Sequence, residues 1–150
     1  MASPESPPQR NQTFLKDLAR NYEPWPLGTD AMVRILAWPD YTQPEEIRKV
    51  LQASSRLFGH SDACLCLRHD SSVDPPVSEV VDKINAELQQ RPEVTERGLE
   101  INILIVDDII PGNEWYRVGL TAFCAVAIKR STGDIRSQFI DVQRCEKVHV

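Results

Sequence analysis

The stretch of sequence that most constrains the fold is an uninterrupted apolar run at positions 122–128, which reads AFCAVAI. A strand with one face in water alternates apolar and polar residues. A run without that alternation is typical of a strand buried on both faces, as in a parallel sheet covered by helices. The polar turn at residues 131–134 follows, and a segment with helical spacing comes after it.

Four other apolar runs have the length of strands: residues 31–38, 63–67, 99–106 and 147–150. Helix-length segments separate all of these runs. Thr42 and Glu45 are placed to form a capping box, Asp74 precedes a Pro-Pro helix start, and Asn113 can cap a third helix. Ser131 or Thr132 can cap the last helix. Repeated strand-helix units with right-handed crossovers predict one parallel sheet.

The predicted fold class is therefore α/β, a Rossmann-like three-layer sandwich around a five-stranded parallel sheet of order 3-2-1-4-5. We expect this domain to span residues 31–150. Residues 1–30 are expected to be an N-terminal tail with a short amphipathic helix, marked by apolar residues at helical spacing: Phe14, Leu15, Leu18 and Tyr22. The main competitor is an antiparallel hairpin that pairs residues 122–128 with 135–142 across the polar turn.

Composition narrows the classes of partner. With 17 basic and 22 acidic residues, the net charge is −5, which disfavours nucleic acid because phosphate binding needs a basic surface. No apolar run is long enough to span a bilayer and no signal-peptide core is visible, so we expect a cytoplasmic protein. The four cysteines are expected to be buried free thiols: Cys64, Cys66, Cys124 and Cys145.

No catalytic residues can be identified from the sequence. The three histidines lack metal-ligand spacing, and no serine, histidine and acid form a recognisable triad. The glycine-rich phosphate loops of common nucleotide-binding proteins are also missing. We therefore expect neither a metal nor a cofactor.

The carboxyl edge of the predicted sheet is the expected place for a ligand, at the switch point between strands 1 and 4. Polar side chains collect there: Asp40, Tyr41, Thr42, Arg68, His69, Asp70, Asp107, Asp108 and residues 131–134. A polar turn that opens a helix presents free N–H groups and the positive end of the helix dipole, which favours anions. From local sequence alone, a helix cap and turn that bind no ligand are the more common outcome for such a segment.

Four segments from Pro111 onward carry a family resemblance: residues 111–116, 121–126, 131–134 and 141–148. In this order they resemble the C-terminal, nucleotide-sugar-binding half of B-type retaining glycosyltransferases. In this alignment the family's ribose-binding glutamate falls on Asp141. Its first glutamate falls on Gly133, with Asp134 beside it. The strands and helices from residue 31 fit the same half-domain in order and length.

The resemblance implies a donor-binding module for a nucleotide or nucleotide sugar. Its nucleotide-binding residues are predicted to be Ser131, Thr132, Gly133, Asp134, Arg136 and Asp141. Phosphates would lie over the N–H groups of residues 132–134, and Asp141, almost two helical turns after Asp134, would reach ribose hydroxyls.

Because the family's acceptor-binding domain has no counterpart here, the resemblance implies no sugar transfer by the isolated chain. The alternative is a non-catalytic interaction domain that keeps the fold without a ligand. A protein partner could then bind through residues 13–28.

Overall fold

The computed structural model describes residues 22–131 and 133–150. Phe14, Leu15 and Leu18 of the predicted N-terminal helix, and Thr132 of the polar turn, lie outside the described residues. The strands are β1 Val33–Ala37, β2 Ala63–Arg68, β3 Asn102–Val106, β4 Cys124–Ala127 and β5 Glu146–His149. The helices are α1 Pro44–Ala53, α2 Val77–Leu88, α3 Pro92–Thr95 and α4 Ile135–Asp141, with 3₁₀ segments at Ser55–Leu57 and Gly112–Gly119.

The sheet confirms the predicted topology. Its order is β3-β2-β1-β4-β5, and all neighbouring strands are parallel. The competing hairpin does not form, because β4 pairs with β1 and β5, and the residues after the polar turn form α4. The fold is therefore a Rossmann-like α/β sandwich.

Helices cover both faces of this sheet. On one face, Phe139 of α4 packs edge-on against Trp38 and Trp115, with ring centroids 5.4 and 5.6 Å apart. On the other, α1 and α2 are joined by the ion pair of Arg48 and Glu87, at 2.8 Å. The inner strands are almost fully buried, as the unbroken apolar runs predicted.

Three local predictions about helix starts are wrong. The segment Gly112–Gly119 is a 3₁₀ helix that begins after Pro111, with no side-chain cap from Asn113. The cap of α4 is Asp134, whose carboxylate accepts hydrogen bonds from the N–H groups of Arg136 and Ser137 at 2.8 and 3.1 Å. Asp134 directly precedes the first helical residue, where a side-chain oxygen reaches those N–H groups, whereas Ser131 lies too far upstream.

Thr42 also does not cap α1: the cap position is Gln43, and it makes no side-chain cap bond. Instead, the Thr42 hydroxyl donates to Asp40 Oδ1 at 2.6 Å. The four cysteines are free as predicted, although Cys145 is half-buried rather than buried.

The described part of the N-terminal segment lies on its own domain. Trp25 and Leu27 pack against the core. The Trp25 indole donates to Asp108 Oδ2 at 2.6 Å, and its backbone N–H donates to the carbonyl of Arg117 at 3.0 Å. These contacts account for both large apolar side chains of residues 23–28. In the part of the chain that the structure describes, no helix is long and apolar enough to cross a membrane.

Candidate functional site

The switch point between β1 and β4 is occupied by an internal ion pair. Arg130 follows β4, and its guanidinium donates to the carbonyl of Trp38 at 2.9 Å and to both carboxylate oxygens of Glu46 in α1. Glu46 also accepts the backbone N–H of Asp40 at 2.9 Å. The side chains of Arg130 and Glu46 are only 8% and 16% exposed. An anionic ligand in this crevice would therefore compete with the Glu46 carboxylate.

The start of α4 carries a second internal anion, the capping carboxylate of Asp134. Of the predicted phosphate-binding turn, Ser131 and Gly133 are exposed, and Gly133 has a φ of +89°, which only glycine adopts without strain. The Asp134 carboxylate therefore already accepts hydrogen bonds from the first N–H groups of the helix. Phosphate binding by this turn stays a prediction.

Beside this turn, an open cleft of about 430 Å³ lies between α4 and the ends of β4 and β5. Its lining residues are Ala127, Ile128, Lys129, Arg130, Ser137, Asp141, His149 and Val150. Ser137 and Asp141 lie one helical turn apart on α4, so both belong to the same wall. Lys129 and His149 come from the sheet side. The structure thus places the predicted Asp141 at a cleft that also contains three side chains with basic nitrogen atoms.

Arg136, although predicted for the same site, does not line this cleft. Its guanidinium donates to Asp74 Oδ1 at 2.7 Å. The other oxygen of Asp74 accepts the indole N–H of Trp38 at 2.8 Å and the backbone N–H of Asp70 at 2.9 Å. The Asp74 side chain is fully buried, so Arg136 balances an acid that has no access to water.

Arg68 approaches the same indole ring. Its guanidinium carbon lies 5.8 Å from the centroid of the Trp38 ring, and that of Arg136 lies 5.4 Å from it. Arg68 Nη1 donates to the carbonyls of Val106 and Asp108, at 3.3 and 2.5 Å. Burial lowers the pKa of Arg68. We call Trp38, Arg68, Asp74 and Arg136 the Trp38 cluster.

The sequence analysis did not predict that the four residues of the Trp38 cluster lie together. Arg68 directly after an apolar strand was the available signal, because a charged residue at that position must either reach the sheet edge or find buried partners. The spacing along the chain does not indicate that Asp74 and Arg136 meet.

Two more acids at this edge are bound within their own turns. Asp70 Oδ1 accepts the hydroxyl and the backbone N–H of Ser72, at 2.6 and 2.9 Å. These bonds lower the pKa of Asp70. Asp40 Oδ1 forms the same pair of bonds with Thr42. Among residues 22–131 and 133–150, no three His, Cys, Asp or Glu side chains are grouped so that they could hold a metal ion.

Comparisons with known proteins return similarity to solved structures. No family model matches the chain, and no curated protein matches it. A crystal structure of a universal stress protein in complex with cAMP aligns with a TM-score of 0.49 and 12% identity. The alignment covers 81% of this chain and 98% of that one. Similarity at this level identifies neither a ligand nor an activity for this chain.

The glycosyltransferase resemblance is wrong. No family model matches the chain, and a similar solved structure is that of a universal stress protein. The structure shows why the local motif misled: the aromatic segment of the supposed motif is a 3₁₀ helix, and Asp134 serves as a helix cap. A buried strand followed by a capped helix produces similar local patterns in unrelated proteins of this architecture.

Proposed function

We propose that this protein binds a phosphorylated ligand of mononucleotide size in the cleft between α4 and the ends of β4 and β5. The observation that carries the proposal is the composition of the two walls. Lys129 and His149 stand on the sheet side, and Ser137 and Asp141 on the helix side. Cations and ring N–H groups suit a phosphate, whereas a carboxylate and a hydroxyl suit the hydroxyls of a sugar.

The dimensions agree with such a ligand. A cleft of about 430 Å³ is within the range typical of small-molecule sites. It lies past the carboxyl ends of two parallel strands, the edge at which ligands of open α/β sheets bind, but is displaced from the switch point toward β5.

Lys129 is the main expected phosphate contact. It is exposed, and no ion pair engages it among the described residues. Arg130 lines the same cleft, but its guanidinium is paired with Glu46. Since one exposed cation gains little in water, we expect a dissociation constant in the high micromolar range or weaker, equivalent to about 5 kcal/mol.

The polar turn at residues 131–134, which lies next to the cleft, remains part of the proposed phosphate site. We propose that the Ser131 hydroxyl and the Gly133 N–H extend the phosphate site, since both residues are exposed beside the cleft residue Arg130. Thr132 was predicted with them and lies outside the described residues. Asp134 works against this contact, because its carboxylate would repel the phosphate.

The test is a two-dimensional NMR titration with AMP, and with adenosine as the uncharged control. We expect shifts at residues 127–131, 137, 141 and 149, and much smaller shifts with adenosine. Lys129→Ala and Asp141→Ala should each weaken AMP binding by about threefold to fivefold, the upper part of the range for a solvent-exposed charged contact.

Matched controls are Lys83→Ala and Asp82→Ala, which remove a half-buried and an exposed charge from α2 on the opposite face. Neither control should change the affinity. Wild-type affinity in both cleft variants, or shifts that map away from the cleft, would overturn the proposal.

A non-catalytic interaction domain is the second candidate. It is favoured by the Glu46–Arg130 pair, which already fills the switch point, and by two exposed apolar side chains. Met32 is 78% exposed and Phe123 is 70% exposed, at the amino ends of the neighbouring strands β1 and β4. Absence of binding by any phosphorylated ligand would favour this candidate. A cytoplasmic location stays a prediction, consistent with four free cysteines.

A further inference from the structure

We infer that this protein forms a symmetric dimer through the edge strand β3 and the apolar groove between β3 and α2. Strand β3 lies at the opposite end of the sheet from the cleft beside β5, so this inference does not depend on the proposed function.

A groove of about 280 Å³ runs between α2 and β3. Apolar side chains and a single amide line it, and they include Val81, Asn85 and Leu88 on the helix side and Ile101, Ile103 and Ile105 on the strand side. Val81 is 39% exposed, and the three isoleucines are only partly buried. A continuous apolar surface with a polar rim is typical of a contact with another protein.

The backbone of β3 presents free hydrogen-bonding groups beside this groove. The carbonyls of Glu100 and Val106 accept N–H groups from the two loops that flank β2, so they point toward the sheet. Because backbone groups alternate in direction along a strand, those of Ile103 and Ile105 point away from it. In the part of the chain that the structure describes, β3 is the outermost strand and no other segment bonds these groups. Such an edge is a template for a further strand.

The two edge strands of the sheet differ in composition. Strand β5 reads EKVH, and its charged Glu146 and Lys147 are of the kind that discourages pairing between edges. Strand β3 reads NILIV and contains neither a charge nor a proline. Of the two edges, β3 is therefore the one suited to pairing.

The symmetry of the groove favours a second copy of this chain as its occupant. A two-fold axis at Ile103 pairs the two β3 strands antiparallel, with Ile101 of each copy opposite Ile105 of the other. Asn85 lies between Val81 and Leu88 in the middle of the helix wall, so the same axis brings it opposite its own copy. Two amides can each donate to and accept from the other, so the one polar side chain of the groove is also satisfied.

The charges at the two ends of β3 are complementary in this arrangement. Arg97 precedes the strand and Asp107 follows it, and both residues are exposed. Neither forms an ion pair with another described residue. Antiparallel pairing brings Arg97 of each copy near Asp107 of the other, so the dimer gains this ion pair twice.

The test is sedimentation velocity of the full chain over a range of concentrations. We expect a monomer–dimer equilibrium with a dissociation constant on the order of 10–100 μM, because one short strand and one groove give a small interface. A monomer that persists up to about 1 mM would overturn the inference and leave the groove to a different protein.

Reversal of the end charges tests the orientation of the two copies. Asp107→Arg and Arg97→Asp should each weaken the dimer by about fivefold, because each places like charges together at both ends of the interface. The double variant restores both ion pairs with the charges exchanged, so its dissociation constant should return close to that of wild type. Both residues are exposed, so we expect all three variants to fold. A double variant that dimerises no better than the single variants would overturn the inference.

A variant of the groove and a variant of the other edge complete the experiment. Val81→Lys places an ammonium group in the apolar groove and should weaken the dimer by at least about tenfold. Glu146→Arg reverses an exposed charge on β5 and should change nothing. A dimer that Val81→Lys leaves intact, or one that Glu146→Arg weakens instead, would place the interface elsewhere and overturn the inference.

Discussion

Single polar side chains determine how the loops at the carboxyl edge are held. Asp74 receives bonds from Trp38, Asp70 and Arg136, although it is fully buried. The Tyr41 hydroxyl donates to the carbonyl of Arg68 at 2.6 Å, and burial raises its pKa well above the ordinary value. Apart from the Asp70–Asp74 bond, which lies within one loop, each of these bonds connects segments of the chain at the carboxyl ends of different strands. Loop positions therefore depend on a few hydrogen bonds rather than on apolar packing alone.

Ser72→Ala should raise the pKa of Asp70. The Ser72 hydroxyl is the largest cause of the lowered pKa of Asp70, because it donates to the charged carboxylate. A lowered pKa in the folded state stabilises the protein above the unfolded pKa, and this contribution is lost as the pH falls through the folded value. The variant should therefore unfold more easily than wild type at pH 7, and the difference should shrink on acidification below the ordinary pKa of aspartate.

The measurement is a carbon-13 titration of the Asp70 carboxyl together with urea unfolding at neutral and acidic pH. Ser71→Ala, next to it and exposed, is the matched control. An unchanged pKa of Asp70 in Ser72→Ala would contradict the prediction.

At the scale of elements, Gln143 joins the 3₁₀ segment Gly112–Gly119 to α4. Its side chain is buried, and Oε1 accepts the N–H of Gly119 at 2.7 Å. Its amide nitrogen donates to the carbonyls of Trp115 and Phe139, at 2.8 and 2.9 Å. One side chain thus satisfies backbone groups in both elements, which fixes how they pack together.

Gly119→Ala should destabilise the fold by about 1–3 kcal/mol. A β carbon at this position would lie 2.9 Å from Gln143 Cβ and 2.5 Å from its Oε1. Gln143 would have to move and leave buried backbone groups unpaired. Gly112→Ala is the control, because no atom lies within 4 Å of the added carbon. Equal free energies of unfolding for the two variants in urea would show that Gln143 can adapt.

At the scale of the whole molecule, the Arg130–Glu46 pair joins β4 to the loop after β1 and to α1. It closes the crevice where Rossmann-like sheets usually bind ligands. The remaining cleft is displaced toward β5, and Arg130 lines it while bonded to Glu46.

Glu46→Gln should lower stability but strengthen binding of AMP. Removing the Glu46 charge leaves a largely buried guanidinium with only the Asp134 carboxylate, 3.9 Å away, as counter-ion, a loss of up to about 3 kcal/mol. The same guanidinium becomes available to a phosphate in the cleft, so the affinity should rise several-fold. Thermal unfolding with and without AMP measures both effects. Glu45→Gln, an exposed neighbour, should show neither. Unchanged or weaker AMP binding in Glu46→Gln would disprove the coupling.

Local sequence patterns were sufficient to predict the sheet. They were insufficient to predict most of the side-chain contacts at its carboxyl edge. The apolar runs predicted five strands near their observed positions, and the right-handed crossover rule then left few possible orders. The cap of α4 was assigned to Ser131 or Thr132 because Ser, Thr and Asp all favour that position. To choose the capping residue, one must know where α4 begins. The packing of Phe139 against Trp38 contributes to the position of that helix.

The sequence by itself determined the α/β class and which residues reach the carboxyl edge, and it left few possible strand orders, because all three follow from periodicity and chain handedness. Only the tertiary structure decided what these residues do there. Arg136 meets an acid 62 positions away, and Arg130 meets one 84 positions away. Such pairings depend on how loops from different strands converge in space. No local sequence pattern predicts these pairings. Because of them, Asp141 lies in the cleft whereas Arg136 lies in the Trp38 cluster.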